Sequence, residues 1–259
     1  MNFPSYRSRY LPAMTPARIR ALPDRSWAPV ILTTGAIEQH GPHLPVAVDA
    51  LMGQVWLSLV LSRLPPGASC YVAPPITIGK SNEHTGFPGT LIISKDTLRS
   101  QVLAVARQLS AWGFRSLAVI NTHGGNVPVL IPTLREIRAL YGFRAAILSS
   151  RAITDFTPLE ATFGIHANEA ETSWLLATAP QHVDMSKAVC EYPAKFEDPG
   201  EVRPVMAPAL VAWTSRDVSK TGIMGDAPSS TAEKGERWLY QMATAYAASI
   251  AQICREGQA

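Results

Sequence analysis

A short stretch of the chain carries three side chains of the kind that bind divalent metals. The sequence Gly35-Ala-Ile-Glu38-Gln-His40 precedes a predicted helix that begins after Asp49. Glu38 and His40 are two residues apart, so an extended chain can point both side chains to the same side. Carboxylates mixed with imidazoles suit zinc, manganese or iron. The stretch therefore indicates a metal site. Asp49, at the start of the next helix, can lie at the same point, and one carboxylate there can bridge two ions.

Further candidate side chains follow later predicted strands. Asn121-Thr-His123-Gly-Gly-Asn126 comes after the strand Ser116–Ile120, and His166-Ala-Asn-Glu169-Ala-Glu171-Thr-Ser-Trp174 comes after a strand ending near Leu148. Ligands of open parallel sheets bind outside the carboxyl ends of the strands, so these segments should meet there. Five of the six histidines lie in such segments, His182 being the exception. Two metals about 3.5–4 Å apart would turn a bridging water into a nucleophile.

Hydrophobic periodicity predicts the elements that position these side chains. Strands are predicted at 29–34, 71–78, 116–120 and 144–148, and helices over 49–64, 96–112, 129–141, 169–177 and 232–253. Pro74-Pro75 limits the length of the second strand. This alternation is typical of parallel β-α-β units with helices on both faces of a sheet. The Pro- and Gly-rich stretch 184–228 indicates loops, an excursion or an oligomer contact. No repeat or linker divides the chain, so residues 1–259 are interpreted as one domain.

Composition and charge exclude several classes of protein. Of the 259 residues 47% are hydrophobic and 17% charged, and 23 basic against 20 acidic residues leave a formal net charge of +3. The apolar content excludes intrinsic disorder, and the absence of a basic stripe argues against nucleic acid and membrane partners. The charged fraction lies below the average of about 25%. It indicates either a large compact fold or a surface partly covered by copies of the same chain.

Several common motifs are missing. Gly79-Lys80-Ser81 ends like a phosphate loop, but Pro74 stands where that loop needs its leading glycine. No Gly-x-Ser-x-Gly elbow and no GxGxxG motif occurs, which argues against serine hydrolases and dinucleotide enzymes. There is no apolar stretch of membrane-spanning length, no signal peptide pattern and no CxxC pair among the three cysteines. These features predict a cytoplasmic protein.

Four segments, in this order along the chain, resemble the creatininase (creatinine amidohydrolase) family: 35–45 with Asp49, Glu83–Thr90, Asn121–Asn126 and 166–173. The resemblance covers roughly residues 28–180, with a weaker echo at Gly222–Gly235. It implies an α/β fold, a three-layer α/β/α sandwich with a mostly parallel central sheet, often assembled as a hexamer. It also implies a site with two divalent metal ions, zinc first and manganese or iron as alternatives.

The resemblance implies a ligand set for each ion. Glu38, Asp49 and His123 would hold one ion, while His40, Asp49 and a further carboxylate would hold the other. Asp49 would thus belong to both sets.

The chain departs from creatininase itself at one point that affects this set. Creatininase has an aromatic residue and a glutamate directly after the histidine corresponding to His123, whereas this chain has Gly124 and Gly125. The missing carboxylate must therefore come from elsewhere. Glu171 is the predicted ligand, with Glu169 as the reserve.

Catalytic and substrate-binding roles follow from the same resemblance. His166 is similar to the family's proposed proton shuttle, and Glu169 is a second candidate catalytic residue. Ser81 stands where a polar substrate contact is expected, Gly124 belongs to the Gly-Gly pair that lets backbone approach a ligand closely, and Trp174 could flank a flat ring.

The resemblance predicts a metal-dependent amidohydrolase that cleaves a C–N bond, in an amide or cyclic amide, of a small molecule. Creatinine is a weak candidate substrate, because the Gly-Gly pair removes an aromatic wall. Two alternatives stay open: hydrolytic ring opening of a cyclic ketone at a C–C bond, and a non-catalytic metal- or ligand-binding module. The pocket walls that set specificity are expected from loops near 151–163 and 184–228.

Overall fold

A parallel sheet of four strands forms the middle layer. Its strands are β1 (Val30–Thr34), β2 (Tyr71–Val72), β3 (Ser116–Asn121) and β4 (Arg144–Leu148), in the order β2-β1-β3-β4. Each neighbouring pair runs parallel, which confirms the predicted β-α-β arrangement. The structure is a computed structural model that describes residues 4–149, 152–192, 202–203, 209–210 and 212–258.

Strand β2 occupies only the first part of the strand-like stretch 71–78, as its two prolines indicated. Pro74 and Pro75 have no N–H group to donate to a neighbouring strand, and the regular pairing ends before them. The chain nevertheless stays beside β1 through a single bridge between Thr34 and Ile76. This course brings residues 79–84 to the carboxyl end of the sheet.

Helices cover both faces of the sheet. They are α1 (Pro16–Arg20), α2 (Val48–Ser62), α3 (Lys95–Ala111), α4 (Val127–Tyr141), α5 (Pro158–Phe163), α6 (Glu169–Thr178), α7 (Ser215–Val218) and α8 (Ala232–Gln258). Val30 and Leu32 of β1 belong to one hydrophobic cluster with residues of α3 and α4, whereas Ile31 belongs to another with residues of α2, α6 and α8. Alternate strand residues thus face opposite helical layers, and the predicted α/β/α sandwich is confirmed.

The stretch with the weak sequence signal has only short elements among its described residues. Strand β5 (Cys190–Glu191) pairs antiparallel with β8 (Gly225–Asp226), and β6 (Val202–Arg203) pairs parallel with β7 (Ala209–Leu210). The loops predicted to form pocket walls are described only in part, since residues 151, 193–201, 204–208 and 211 lie outside the described residues.

Cys70 and Cys254 are buried, Cys190 is exposed, and all three are free thiols. No helix in the described part of the chain is both long enough and apolar enough to cross a membrane.

Candidate metal centre

Four predicted ligands lie together at the carboxyl end of the sheet. Glu38 and His40 follow β1, His123 follows β3, and Asp49 lies in the first turn of α2. All four are buried, and no more than 5% of any of them is exposed. Burying several ionisable groups is costly unless they are paired or bind a metal. The cluster therefore needs compensating positive charge.

Hydrogen bonds between the loops hold these segments against one another. Oγ1 of Thr122 donates to the carbonyl of Asp49 at 2.8 Å, and Nδ2 of Asn126 donates to the carbonyl of Gly35 at 3.0 Å. The backbone N–H of Lys80 donates to Oδ1 of Asn126 at 3.0 Å. The segments that follow β1, β2 and β3 are thereby joined directly.

Asp49 lies between two imidazoles and presents one oxygen to each. Its Oδ1 is 3.6 Å from Nε2 of His40, and its Oδ2 is 3.4 Å from Nδ1 of His123. The same Nδ1 of His123 is 3.1 Å from Oε1 of Glu38. A carboxylate shared in this way is placed to bridge two ions.

Hydrogen bonds at the outer edge of the cluster orient both imidazoles. Nδ1 of His40 donates to the backbone carbonyl of Glu38 at 3.0 Å, and Nε2 of His123 donates to the carbonyl of Lys80 at 3.1 Å. Because a carbonyl only accepts, each of these nitrogens carries a hydrogen. The second nitrogen of each ring faces the carboxylates, as is usual for histidines that bind metals.

Three buried polar atoms of the cluster have no hydrogen-bond partner among the described residues: Oε2 of Glu38, Nε2 of His40 and Oδ2 of Asp49. One donor atom from each of these residues lies within 4.8 Å of the other two. Carboxylate oxygen and imidazole nitrogen are ligands that zinc, manganese and iron accept. The residues present therefore fit divalent metal ions.

The charges of the clustered side chains lead to the same conclusion. Burial lowers the pKa of His123, but the nearby carboxylates of Asp49 and Glu38 outweigh burial and raise this pKa to about 11. Burial also lowers the pKa of His40, whereas Asp49 and Glu171 raise it to about 9. The carboxylates thus hold protons on the imidazoles, and metal binding must displace these protons.

The structure places Glu171 beside the second imidazole. Its Oε2 is 3.7 Å from Nε2 of His40 and accepts a hydrogen bond from the backbone N–H of Ala167 at 2.6 Å. Ala167 has a φ angle of 50°, and Asn168 caps the N-terminus of α6, so a tight turn directs Glu171 toward the cluster. Burial raises the pKa of Glu171 to about 7. Glu171 forms a compact donor set with His40 and His166, and Nε2 of His40 also lies 3.6 Å from Asp49.

Glu169, the reserve ligand, points elsewhere. Its carboxylate forms an ion pair with Lys234 of α8, and its backbone N–H donates to Oε1 of Glu160 at 2.9 Å. Glu169 belongs to none of the compact donor sets found among the described residues. The structure therefore does not bring Glu169 together with the other predicted site residues.

His166 lies against the cluster with a fixed ring orientation. Its Nε2 donates to the carbonyl of Gln39 at 2.6 Å, so the lone pair is on Nδ1, 3.8 Å from Oε1 of Glu38. Burial lowers the pKa of His166 well below its usual value, and His40 and His84 lower it further. A neutral ring with a free nitrogen facing the cluster can accept a proton.

The three predicted substrate contacts lie in different environments. Ser81 is fully buried, with Oγ 3.4 Å from Nε2 of His123, so it contacts a candidate ligand. Trp174 packs against Trp56, with ring centroids 5.0 Å apart. Gly124 alone of the three lines the cavity described next, among the residues that the structure describes.

A cavity of about 600 Å³ opens beside the cluster. Its lining includes Glu38, His123, His166, the ion pair of Lys80 and Glu83, and the apolar side chains of Ile165, Trp213 and Met224. Its volume lies within the range of about 300–1,000 Å³ that is usual for small-ligand sites. Candidate ligands and a substrate-sized space thus adjoin each other.

The sequence alone indicated no role for His84, Gln39 or Glu83, but the structure places all three at the site. Nε2 of His84 is 3.2 Å from Oε1 of Glu38, Gln39 contacts both His84 and His166, and Glu83 lines the cavity. The sequence signal that could have indicated them is that they lie inside the segments 35–45 and Glu83–Thr90, which resemble the creatininase family. Local spacing could not reveal these contacts, because each one joins different segments.

Comparisons with known proteins agree with this geometry. The family model described as creatininase, creatinine amidohydrolase, matches residues 12–250. The mycofactocin precursor peptide peptidase of Mycolicibacterium smegmatis is 34% identical over 215 residues, which cover 82% of this chain and 80% of that protein. The creatinine amidohydrolase of Pseudomonas putida is 30% identical over 230 residues, with coverage of 80% and 82%.

Solved structures give the same result. The chain is similar to manganese creatininase with a TM-score of 0.73 and 27% identity, covering 94% of this chain and 98% of that one. A mutant creatininase of Zn–Zn type matches with the same score and identity, covering 94% and 97%. Taken with the buried donor cluster, these matches over most of the chain show that it belongs to the creatininase family of metal-dependent hydrolases.

Proposed function

We propose that the chain uses two divalent metal ions to hydrolyse a C–N bond, in an amide or cyclic amide, of a small molecule. The observation that carries this proposal is the position of Asp49 between His40 and His123, with one carboxylate oxygen facing each. The proposed ligands are Glu38, Asp49 and His123 for one ion and His40, Asp49 and Glu171 for the other. The zinc and manganese creatininase structures support these two metals.

When bound, two such ions polarise the substrate carbonyl and lower the pKa of the attacking water. His166 is the proposed proton carrier. Its Nδ1 faces the cluster, and its low pKa keeps the ring neutral near pH 7. The ring can therefore accept a proton from the water and then donate it to the leaving nitrogen. The hydrogen bond from Nε2 to Gln39 keeps the ring in place during both transfers.

A peptide bond is a second candidate for the bond that is cleaved. The mycofactocin precursor peptide peptidase of M. smegmatis is 34% identical to this chain. The cavity of about 600 Å³ has room for more than one small ring, and Ile165, Trp213 and Met224 offer apolar contacts to a peptide side chain. Both substrates require the same polarised carbonyl and the same proton transfer.

Product analysis tests the reaction. Protein stripped of metal and protein reloaded with zinc or manganese are each incubated with creatinine, lactams, simple amides, cyclic ketones and short peptides. Product mass and the appearance of a freed nitrogen group are measured, since an open-chain amide releases an amine or ammonia, whereas a cyclic amide gains one water and keeps its freed nitrogen in the same molecule. We expect a freed nitrogen group only with reloaded protein. Ring opening of the cyclic ketones alone would favour the C–C reaction, and bound metal with no hydrolysis would favour a binding module.

Two variants test the site itself. Asp49→Ala should lose both bound metal and turnover, because Asp49 belongs to both proposed ligand sets. Two retained metals with full activity would contradict the assignment. His166→Gln should keep its metals and slow turnover by about 100-fold or more, as is usual for loss of a general acid or base. Loss of metal from His166→Gln would instead make His166 a ligand.

A further inference from the structure

We propose that His84 positions Glu38 by donating a hydrogen bond from Nε2, and that it does not itself bind metal. This inference rests on the proposed metal centre and concerns a residue outside both ligand sets. Nε2 of His84 is 3.2 Å from Oε1 of Glu38. Donor atoms of Glu38, His84 and His166 also lie within 4.8 Å of one another, so distances alone would allow His84 to be a ligand. The hydrogen positions decide between the two roles.

Only one orientation of the Gln39 amide satisfies its neighbours. The backbone N–H of Gly41 donates to Oε1 at 2.9 Å, and Nε2 donates to the carbonyl of Gly222 at 3.1 Å. Exchanging the oxygen and nitrogen would set donor against donor and acceptor against acceptor. A Cβ at Gly222, where φ is 90°, would overlap this amide, so the contact depends on glycine. The NH₂ end of Gln39 is therefore fixed.

This NH₂ group determines which nitrogen of His84 carries the hydrogen. Nε2 of Gln39 lies 2.9 Å from Nδ1 of His84, so Gln39 donates and Nδ1 accepts. The hydroxyl of Ser215 lies 2.8 Å from the same Nδ1, whose single lone pair accepts from Gln39. Because Nδ1 accepts, the ring hydrogen must be on Nε2. That N–H group faces Oε1 of Glu38.

The other imidazoles of the cluster have the opposite arrangement. His40, His123 and His166 each donate from the outer nitrogen to a backbone carbonyl and present the inner nitrogen to the carboxylates. His84 accepts on its outer nitrogen and donates from its inner one. Its bond to Oε1 leaves Oε2 of Glu38 without a partner among the described residues. Outer hydrogen bonds of this kind orient metal ligands and increase metal affinity.

Zinc affinity, measured by competition with a chromogenic chelator, tests this role. His84→Gln keeps an N–H group that can reach Glu38 but is a poor zinc ligand, whereas His84→Leu provides neither. His182→Gln, at an exposed histidine, is the matched control. We expect His84→Gln to stay within about threefold of the wild type and His84→Leu to bind about 10–100-fold more weakly. Equal loss in both would make His84 a ligand, and no loss in either would make the hydrogen bond dispensable. Either result overturns the proposal.

Asp49→Ala distinguishes failure of this inference from failure of the proposed function. If Asp49→Ala keeps its zinc, the proposed metal centre is wrong. If it loses zinc while the His84 variants depart from expectation, only the role of His84 is wrong.

Imidazole nitrogen NMR provides a readout that does not require His84→Leu to fold. The His84 signals are assigned in wild-type protein by their loss in His84→Gln, and spectra are recorded before and after zinc is added. We expect Nε2 of His84 to carry its hydrogen in both spectra. A zinc-bound shift at that nitrogen would overturn the proposal.

Discussion

The carboxylate of Glu83 occupies the space in which a side chain at Gly125 would lie. A Cβ atom at Gly125 would overlap Oε1 of Glu83 and lie 2.6 Å from the carbonyl oxygen of Lys80. Oε1 of Glu83 is also 3.5 Å from Nε2 of His123. Glu83 therefore lies on the outer side of His123, where it leaves no room for a side chain at residue 125.

Replacing Gly125 should therefore disturb the site. Gly125→Ala is expected to destabilise the protein by about 1–3 kcal/mol, because the added methyl group overpacks a filled space. It should also weaken zinc binding by displacing Glu83 and His123. Gly124→Ala is the matched control, since a Cβ at Gly124 meets no atom within 4 Å. Thermal unfolding and zinc titration of both variants check this, and equal behaviour would contradict it.

The two glutamates of α6 should differ in their effect on metal binding. Glu171→Gln removes a charge beside His40 and should weaken zinc binding by about 10-fold or more. Glu169→Gln should leave zinc affinity nearly unchanged, because that carboxylate is paired with Lys234. Metal content after dialysis and competition titration measure both. A larger loss in Glu169→Gln would restore Glu169 as the ligand.

Substitutions of Trp213 and Trp174 should affect different properties, substrate binding for Trp213 and stability for Trp174. Trp213 lines the cavity, so Trp213→Ala should raise KM for a substrate found in the panel by about 10-fold through lost apolar contact. Trp174 packs against Trp56, so Trp174→Ala should lower the free energy of unfolding by about 2 kcal/mol or more without a comparable change in KM. Steady-state kinetics and denaturant unfolding measure both. A KM effect confined to Trp174→Ala would reverse the assignment.

A buried histidine outside the ligand sets predicts acid sensitivity. Burial and, to a lesser extent, the neighbouring His40 lower the pKa of His43 from 6.5 to about 4. Below pH 6.5 the unfolded chain binds a proton at this residue and the folded chain does not, so stability falls as pH is lowered. At about 1.4 kcal/mol per pKa unit, the loss between pH 8 and pH 5 is about 2 kcal/mol.

The substitution His43→Gln should remove this contribution. With metal kept away by a chelator, the free energy of unfolding of His43→Gln should fall less between pH 8 and pH 5 than that of the wild type. His182→Gln should follow the wild type, since His182 is exposed. Parallel pH profiles for all three proteins would show that His43 does not govern this acid sensitivity.

The arrangement of the sheet was predictable because buried strands and amphipathic helices have distinct periodicities. Strand β3 and helices α3 and α6 lie within one residue of their predicted bounds. Strand β2 ends before Pro74 and Pro75, because these two prolines limit its pairing with β1. The length of an apolar run in the sequence does not reveal at which residue the pairing stops. The stretch 184–228 has too little periodic signal for its short paired segments to be predicted.

Residue types and spacing determined which segments carry the candidate metal ligands, because carboxylates and imidazoles after parallel strands converge at one end of a sheet. Only the tertiary structure decided which side chains face the cluster. Glu169 and Glu171 are two residues apart, so on a helix they point about 200° apart, and the docking of α6 brings Glu171 beside His40. The hydrogen position on His84 likewise depends on Gln39, which is 45 residues away in sequence.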